Sequence, residues 1–479
     1  MTDYDTLFIG GELTPAASAA RIDVIAAGTE EIIGRAPEAD TTDVDAAVAA
    51  ARRSLQDPGG WMRWTPEDRS QAIERLADEL ETRAPRITSL VAQQNGMPIS
   101  TANVIESVLP ATIYRYYASL LRRTPFEETR PGLLGGQTIV RQVPVGVVAA
   151  IVPWNYPNLI TATKLAPALA AGCTVVIKPS PEALLDSYIV AEAVSSAGIP
   201  PGVVNIVPGG ADTGAYLVSH PDVGKVSFTG STAVGREIAR TCGELLRPTT
   251  LELGGKSAAI LLDDADLPAS LEGLFQATLL NNGQTCVANS RILVPRKRYD
   301  EVIDFFAAML SGAKVGDPLD PETQVGPLVS DAQRSRVEGF IAGAKNGARL
   351  ITGGGRPEQF DRGWFVEPTL FADVDPMSIL GQQEVFGPVL ALMPYDTVDD
   401  AISIANSTDY GLAGTIWTSR PKLGEDIARK VDSGTVGVNY YMLDPVAPFG
   451  GVKASGLGRE LGPEGLASCL QPQTIYLAP

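Results

Sequence analysis

The segment Asn281-Asn282-Gly283-Gln284-Thr285-Cys286-Val287-Ala288-Asn289-Ser290-Arg291 carries a thiol in a small, polar, glycine-preceded loop. It lies between the apolar run Phe275 to Leu280 and the strand-like Arg291-Ile292-Leu293-Val294. Most cysteines are small buried hydrophobes, but a thiol in such a loop can be reached by a substrate and can attack an electrophilic carbon. An unperturbed thiol titrates near ~8.5, so a base or a positive potential has to act on it at neutral pH. The one histidine, in His220-Pro221-Asp222, reads as a surface turn and leaves none for a catalytic triad.

Five further stretches stand out, the first three of them at strand ends. They are Pro153-Trp154-Asn155-Tyr156-Pro157-Asn158, Lys178-Pro179-Ser180-Pro181, Phe228-Thr229-Gly230-Ser231-Thr232-Ala233-Val234-Gly235, Leu251-Glu252-Leu253-Gly254-Gly255-Lys256 and Glu384-Val385-Phe386-Gly387-Pro388. Each alone reads as ordinary structure, a turn with a solvated charge. The Gly-Ser-Thr turn lacks the full GxGxxG spacing of a dinucleotide fingerprint.

The elements that must position them follow from hydrophobic periodicity. Phe8 to Glu12 reads as a strand and turn, with strands at Arg21 to Ile25 and Ile32-Ile33. Thr42-Asp43 caps a helix from Val44 to Leu55. Pro66-Glu67-Asp68 opens a second, acidic in its first turn, which Pro85 separates from the next. A third helical stretch spans Ser100 to Leu121, and Pro131-Gly132 and Gly135-Gly136 mark a projecting hairpin before a strand at Thr138 to Val143. Short apolar strands then alternate with helices: strand 146–152, helix 161–171, strand 174–178, helix 184–197, strand 203–207, strand 226–229, helix 233–241. This rhythm predicts βαβ units in a parallel, doubly wound sheet, which binds ligands beyond the carboxyl ends of its strands. A second α/β region follows Gly283, with helices near 300–312 and 331–347 and strands at 389–394 and 414–418. The tail Thr474-Ile475-Tyr476-Leu477 reads as a strand without an evident partner, able to join a sheet in another subunit.

The 479 residues suffice for several structural units, and the 44% hydrophobic content argues against disorder. A net charge of -18 argues against nucleic acid or an anionic membrane as partner. Cys173, Cys242, Cys286 and Cys469 are scattered without ligand spacing, so neither a disulfide framework nor a metal site is expected. No apolar run is long enough to span a bilayer and the first residues resemble no signal peptide, so the cytoplasm is the expected location.

Taken together and in this order, these motifs resemble the aldehyde dehydrogenase superfamily, from Phe8-Ile9-Gly10-Gly11 to Pro448-Phe449-Gly450-Gly451-Val452-Lys453-Ala454-Ser455-Gly456. The resemblance implies Cys286 as nucleophile, Glu252 as general base and Asn155 as oxyanion donor together with the Cys286 backbone N–H. It implies Trp154, Lys178, Ser180, Gly230, Ser231, Gly254, Glu384 and Phe386 around an NAD cofactor, with NADP as an alternative. Lys178 would contact the adenosine ribose, Gly230 and Ser231 the pyrophosphate, and Glu384 the nicotinamide ribose. Tyr156, Met442, Leu443 and Phe449 would line an apolar substrate funnel, with Asn439 beside them. Arg291 matches a position that is ordinarily structural.

The expected fold class is α/β. A Rossmann-like doubly wound cofactor domain takes residues 1–121 and 144–253, and a second α/β catalytic domain takes 254–450. A small β oligomerisation flap takes 122–143 and 467–479, serving a homodimer or homotetramer. One departure stands out. The acid that many NAD-preferring members carry three residues after the lysine is Pro181 here, with Glu182 next to it.

The expected activity is oxidation of a small aldehyde to a carboxylic acid, the substrate being medium-chain aliphatic, aromatic or terpenoid. The rival readings are a CoA-acylating semialdehyde dehydrogenase, which generally lacks the base at Glu252, and a non-catalytic scaffold.

Overall fold

The computed structural model describes residues 2–478 and is an α/β structure built on two large sheets. In the first, the strands Thr249–Glu252, Val223–Thr229, Val147–Ile151, Thr174–Lys178 and Val204–Ile206 lie parallel and side by side. Thr6–Ile9 and Glu12–Pro15 extend one edge antiparallel, and Gly456–Leu457 closes the other. Consecutive side chains of a strand face opposite ways. Accordingly Val148 and Ala150 enter one apolar core, while Val147, Ala149 and Ile151 enter another. Both faces are covered by helices, which is why these strands read as unbroken apolar runs.

The second sheet repeats this logic with Ala258–Leu261, Arg291–Pro295, Val389–Tyr395, Thr369–Ala372, Gly414–Trp417 and Gly437–Val438 in parallel, and Arg349–Thr352 antiparallel at the edge. Ala258 and Ile260 pack on one side, Ala259 and Leu261 on the other. Among the described residues no helix is long and apolar enough to cross a membrane.

Several local expectations are corrected. Pro85 does not divide a helix; it lies inside one continuous helix, Pro66–Asn95, at an exposed position. The helix ends at Gly96 in the left-handed conformation, φ +80°. The cap of the preceding helix, Thr41–Gln56, is Asp40 rather than Thr42-Asp43. Its carboxylate accepts from the Thr42 and Asp43 amides, and the Asp43 side chain reaches back to the Asp40 N–H. The stretch 100–121 is not uniform: a π-helical turn, Val104–Val108, separates Ile99–Asn103 from Leu109–Arg123. His220 does follow a helix end, but it is buried, with Nε2 3.3 Å from Asp45.

The late strand has a partner within its own chain. Leu470–Leu477 pairs antiparallel with Gln137–Pro144, which also pairs with Glu127–Pro131. Apart from Leu470, which packs against one core, this three-stranded sheet is largely exposed, with Tyr476 81% exposed and Leu133 and Leu134 fully exposed at the hairpin tip.

Candidate active site

Cys286 follows a turn that backbone geometry alone would disfavour. Asn281, Asn282 and Gly283 all have positive φ, +51°, +62° and +74°. Asparagine and glycine tolerate that region better than other residues. A side chain at Gly283 would stand 2.3 Å from the Gly387 carbonyl, so only glycine fits.

Buried amide side chains hold the turn. Asn281 Nδ2 donates to the Asn155 carbonyl at 2.9 Å. Asn282 Nδ2 donates to the Gly96 and Pro327 carbonyls at 2.8 Å each, and its Oδ1 accepts from Gly326 N–H at 2.6 Å. Gln284 accepts from Val329 N–H at 2.9 Å and donates to the Asn95 carbonyl at 3.3 Å. Thr285 Oγ1 donates to the Leu280 carbonyl at 2.7 Å and lies 2.5 Å from the Tyr156 hydroxyl.

Cys286 opens onto a cavity of about 710 Å³. Glu252, Tyr156, Met442, Leu443 and Phe449 line the same cavity, so the expected nucleophile, base and funnel residues share one space. Asn155 does not line it. Its buried amide is tied to the cysteine loop, where Nδ2 donates one hydrogen to the Gln284 carbonyl at 3.1 Å and keeps a second. Asn439 is absent from the wall as well: its side chain both accepts from Thr418 N–H and donates to Thr418 O. Arg291 is structural, donating to the carbonyls of Lys256, Ile404 and Ala405. No lysine or arginine of the described residues lines the cavity.

Burial pushes the Cys286 thiol up to about 12, and the carboxyls of Glu384 and Glu252 add to the shift. The resting thiol therefore keeps its proton and needs a base. Glu252, the last residue of strand Thr249–Glu252, is 3% exposed and neither carboxyl oxygen has a hydrogen-bond partner. Burial raises it well above the usual carboxylate range; Glu460 adds to this, while Lys164 and Arg459 oppose it. Gly450, at φ +152°, leaves this carboxyl its space, since a Cβ there would lie 2.5 Å from Oε1.

Behind Glu252 stands a network that sequence reasoning missed. Lys164 Nζ donates to Glu460 Oε1 at 2.6 Å and Thr229 Oγ1 at 2.7 Å, and Thr163 and Ser227 hydroxyls also donate to Glu460. The signal was available: every residue of helix Pro157–Ala171 is buried, and a lysine in so apolar a run requires a partner.

The remaining expected residues fall around the carboxyl ends of the first sheet and facing it. Lys178 ends strand Thr174–Lys178; Nζ donates to the Pro179 and Gly209 carbonyls at 3.0 and 2.7 Å, and burial pulls it down to about 8. Ser180 donates its hydroxyl to Glu182. Glu38, unforeseen in the sequence, also acts electrostatically on Lys178 and accepts from Gly210 N–H at 3.2 Å. Gly230 and Ser231 join strand Val223–Thr229 to helix Thr232–Glu244, whose first turn Ser231 caps through Val234 N–H. Glu384 Oε1 accepts from Gly255 N–H at 2.9 Å, and a Cβ on Gly254 would strike Glu384 Oε2 at 2.5 Å. Burial raises Glu384 to about 7, against the pull of Gly255 N–H, Lys256 and Arg336. Phe386, at φ +63°, meets Trp154 edge-on at 5.4 Å.

Residues 14–475 match the aldehyde dehydrogenase family. The chain belongs to the aldehyde dehydrogenase family. It is 50% identical over 475 residues to geranial dehydrogenase of Castellaniella defragrans, covering 99% of each chain. The crystal structure of Mycobacterium tuberculosis aldehyde dehydrogenase complexed with NAD+ is 46% identical, with a TM-score of 0.97 over 100% of this chain and 99% of that one. A mutant aldehyde dehydrogenase C from Pseudomonas syringae, complexed with NAD+ and octanal, is 37% identical, with a TM-score of 0.95 over 98% and 96%.

An acid held above its usual range is protonated below its own pKa and acts as a base only above it. With Glu252 as the base, aldehyde oxidation should rise with pH along an acidic limb that Glu252 sets. Glu252→Gln should abolish that limb and slow turnover at least 100-fold. Cys286→Ala should show no activity at any pH. An unchanged pH profile in Glu252→Gln would remove Glu252 from the base role.

Proposed function

We propose that this aldehyde dehydrogenase converts an apolar aldehyde to its carboxylic acid, with Cys286 as nucleophile, Glu252 as base and NAD+ as oxidant. The observation that carries the reading is the single cavity shared by Cys286, Glu252 and an apolar wall.

The residues present fit a dinucleotide. Glu384 has Oε2 free for a ribose diol beside the cradle that Gly254 leaves open, Ser231 starts a helix whose N-terminus suits a pyrophosphate, and Lys178 stands at the neighbouring strand end. When bound, NAD+ supplies the acceptor for the hydride leaving the substrate carbon.

The chain's own groups do the rest. Glu252 takes the Cys286 proton, and the thiolate adds to the carbonyl carbon. The second Asn155 Nδ2 hydrogen and the Cys286 N–H donate to the oxygen that becomes negative; losing one such donor costs about 3–4 kcal/mol. After oxidation a thioester links substrate to Cys286. Glu252 then takes a proton from water as it attacks, close to the Lys164–Glu460 ion pair. A base in this position favours water over CoA as the acyl acceptor, and the intact constellation disfavours a scaffold. Product analysis with and without CoA separates these readings.

The wall sets the substrate. Val104, Ile105, Leu109, Phe275, Met442 and Leu443 are apolar, while Glu272 and Glu322 also line the cavity and the one cation that pairs with them, Lys314 on Glu322, is not part of its wall. Medium-chain aliphatic, aromatic and terpenoid aldehydes fit this surface. The names of similar proteins, geranial dehydrogenase and the octanal complex, support the same class. Each buried methylene contributes up to about 0.8 kcal/mol, so kcat/KM should climb from acetaldehyde to octanal. Succinic semialdehyde, whose carboxylate meets no cation, should be poor. A flat series, or a preference for succinic semialdehyde, overturns the assignment.

For the cofactor, the Pro181 side chain offers no acceptor, but Glu182 and Glu38 act on Lys178 and disfavour a 2′-phosphate. NAD+ should be preferred by less than about 100-fold, roughly 2.7 kcal/mol, with NADP+ as second cofactor. Glu182→Ala should narrow the gap and Pro181→Glu widen it in paired kcat/KM measurements. Strict NAD+ dependence that survives Glu182→Ala would contradict this.

We assign the exposed three-stranded sheet formed by 122–143 and 467–479 to oligomerisation, beside a cofactor unit (1–121, 144–253) and a catalytic unit (254–450). Light scattering should give two or four times 50.4 kDa, and Tyr476→Asp with Ile475→Asp should reduce it. A monomeric wild type removes the assignment. All four cysteines are unpaired, in keeping with a reducing cytoplasm.

A further inference from the structure

The π-helical turn Val104–Val108 faces two ways. Val104 and Ile105 line the substrate cavity, while Glu106 turns inward, fully buried. The wide turn is closed by Leu109 N–H donating to the Val104 carbonyl, five residues back. A carboxyl so placed ordinarily needs a cation, yet no lysine or arginine among the described residues pairs with Glu106.

What it meets is a helix start that cannot cap itself. Helix Pro157–Ala171 is preceded by Tyr156, which makes no side-chain cap, and opens with Pro157, which has no N–H. Its next amide, Asn158 N–H, donates to Glu106 Oε2 at 2.7 Å, and the Asn158 side chain returns the bond by donating Nδ2 to the Glu106 carbonyl at 2.7 Å. The clamp joins the cavity wall to the residue three places after Asn155. That turn is otherwise held from the other side, where Asn95 and Asn281 donate to the Asn155 carbonyl and Asn155 donates to Gln284.

We infer that Glu106 is a positioning residue for the reaction: through Asn158 it holds the Asn155 turn in register with Cys286 and ties that register to contact between substrate and the π-turn wall. This rests on the reading of Asn155 as oxyanion donor. Burial raises Glu106 well above the usual carboxylate range, the Asn158 amide working against it. An uncharged acceptor therefore does the same work, and Glu106→Gln should preserve function where Glu106→Leu does not.

The test is a double-mutant cycle on the full chain with octanal and NAD+. Glu106→Leu should lower kcat at least 30-fold while aldehyde KM and NAD+ affinity stay within threefold, and Glu106→Gln should stay within threefold of wild type throughout. Asn155→Ala should lower kcat by itself, and adding Glu106→Leu to it should lower kcat by no more than a further threefold. An impaired Asn155→Ala whose loss multiplies with that of Glu106→Leu overturns the inference alone, as does a Glu106→Leu enzyme with kcat within threefold of wild type. An active Asn155→Ala overturns the oxyanion reading on which it stands. If Glu106→Leu does not fold, Asn158→Ala, which removes only the returning bond, takes its place with a tenfold criterion for kcat, the same KM criterion and the same cycle.

Discussion

The structure depends on how the Cys286 thiol is kept in one place at the end of a strained loop. Three consecutive residues before Gln284 adopt left-handed backbone angles, and a loop so shaped does not hold itself. Side-chain amides hold it by replacing missing backbone partners: Asn281, Asn282 and Gln284 reach three separate segments, near residues 96, 155 and 327. An amide carries donor and acceptor on one planar group, so it can bridge a carbonyl and an N–H without bringing charge. In a desolvated site, where an unpaired polar atom costs about 1–3 kcal/mol, that neutrality lets the loop be fixed without disturbing the acid beside it.

Charge is instead concentrated at a few buried points. Glu252 has no hydrogen-bond partner, Lys164 is paired with Glu460, and Glu384 is held by one backbone amide. Each is displaced from its ordinary titration range or tied into an ion pair, as expected where ionisable groups are buried away from water. Glu252 stands at a strand end, Lys164 inside helix Pro157–Ala171 and Glu384 in the loop before strand Val389–Tyr395, so three different elements supply these points.

Much of this was legible in the sequence because the chemistry sits in short, contiguous motifs. Cys286, Glu252 and the funnel residues Tyr156, Met442, Leu443 and Phe449 share one cavity, as the motifs implied. The alternation of apolar strands and helices marked both sheets because strands buried on both faces leave no polar interruption. What escaped were features that leave local pattern unchanged. A π-turn shifts the helix face by one residue without altering composition, so 100–121 read as one helix. Pro85 read as a breaker, yet its exposed position lets the helix lose one bond and continue. Asp40 was hidden among four consecutive capping residue types, Asp40-Thr41-Thr42-Asp43. Glu38 and Glu460 belong to no motif and gain meaning only from neighbours distant in sequence.

The pairing of Lys164 with Glu460 spans 296 residues, and the strand Leu470–Leu477 closes on Gln137–Pro144 across a similar distance. At ribosomal speeds of about 5–20 residues per second, roughly 15–60 s of translation separate the two halves of the ion pair. Throughout that interval a nascent chain presents a lysine inside an apolar helix and an unprotected sheet edge. The late segment thus acts as a latch on a half-built molecule, and the delay exposes the emerging chain to chaperones and to aggregation before any aldehyde can be turned over.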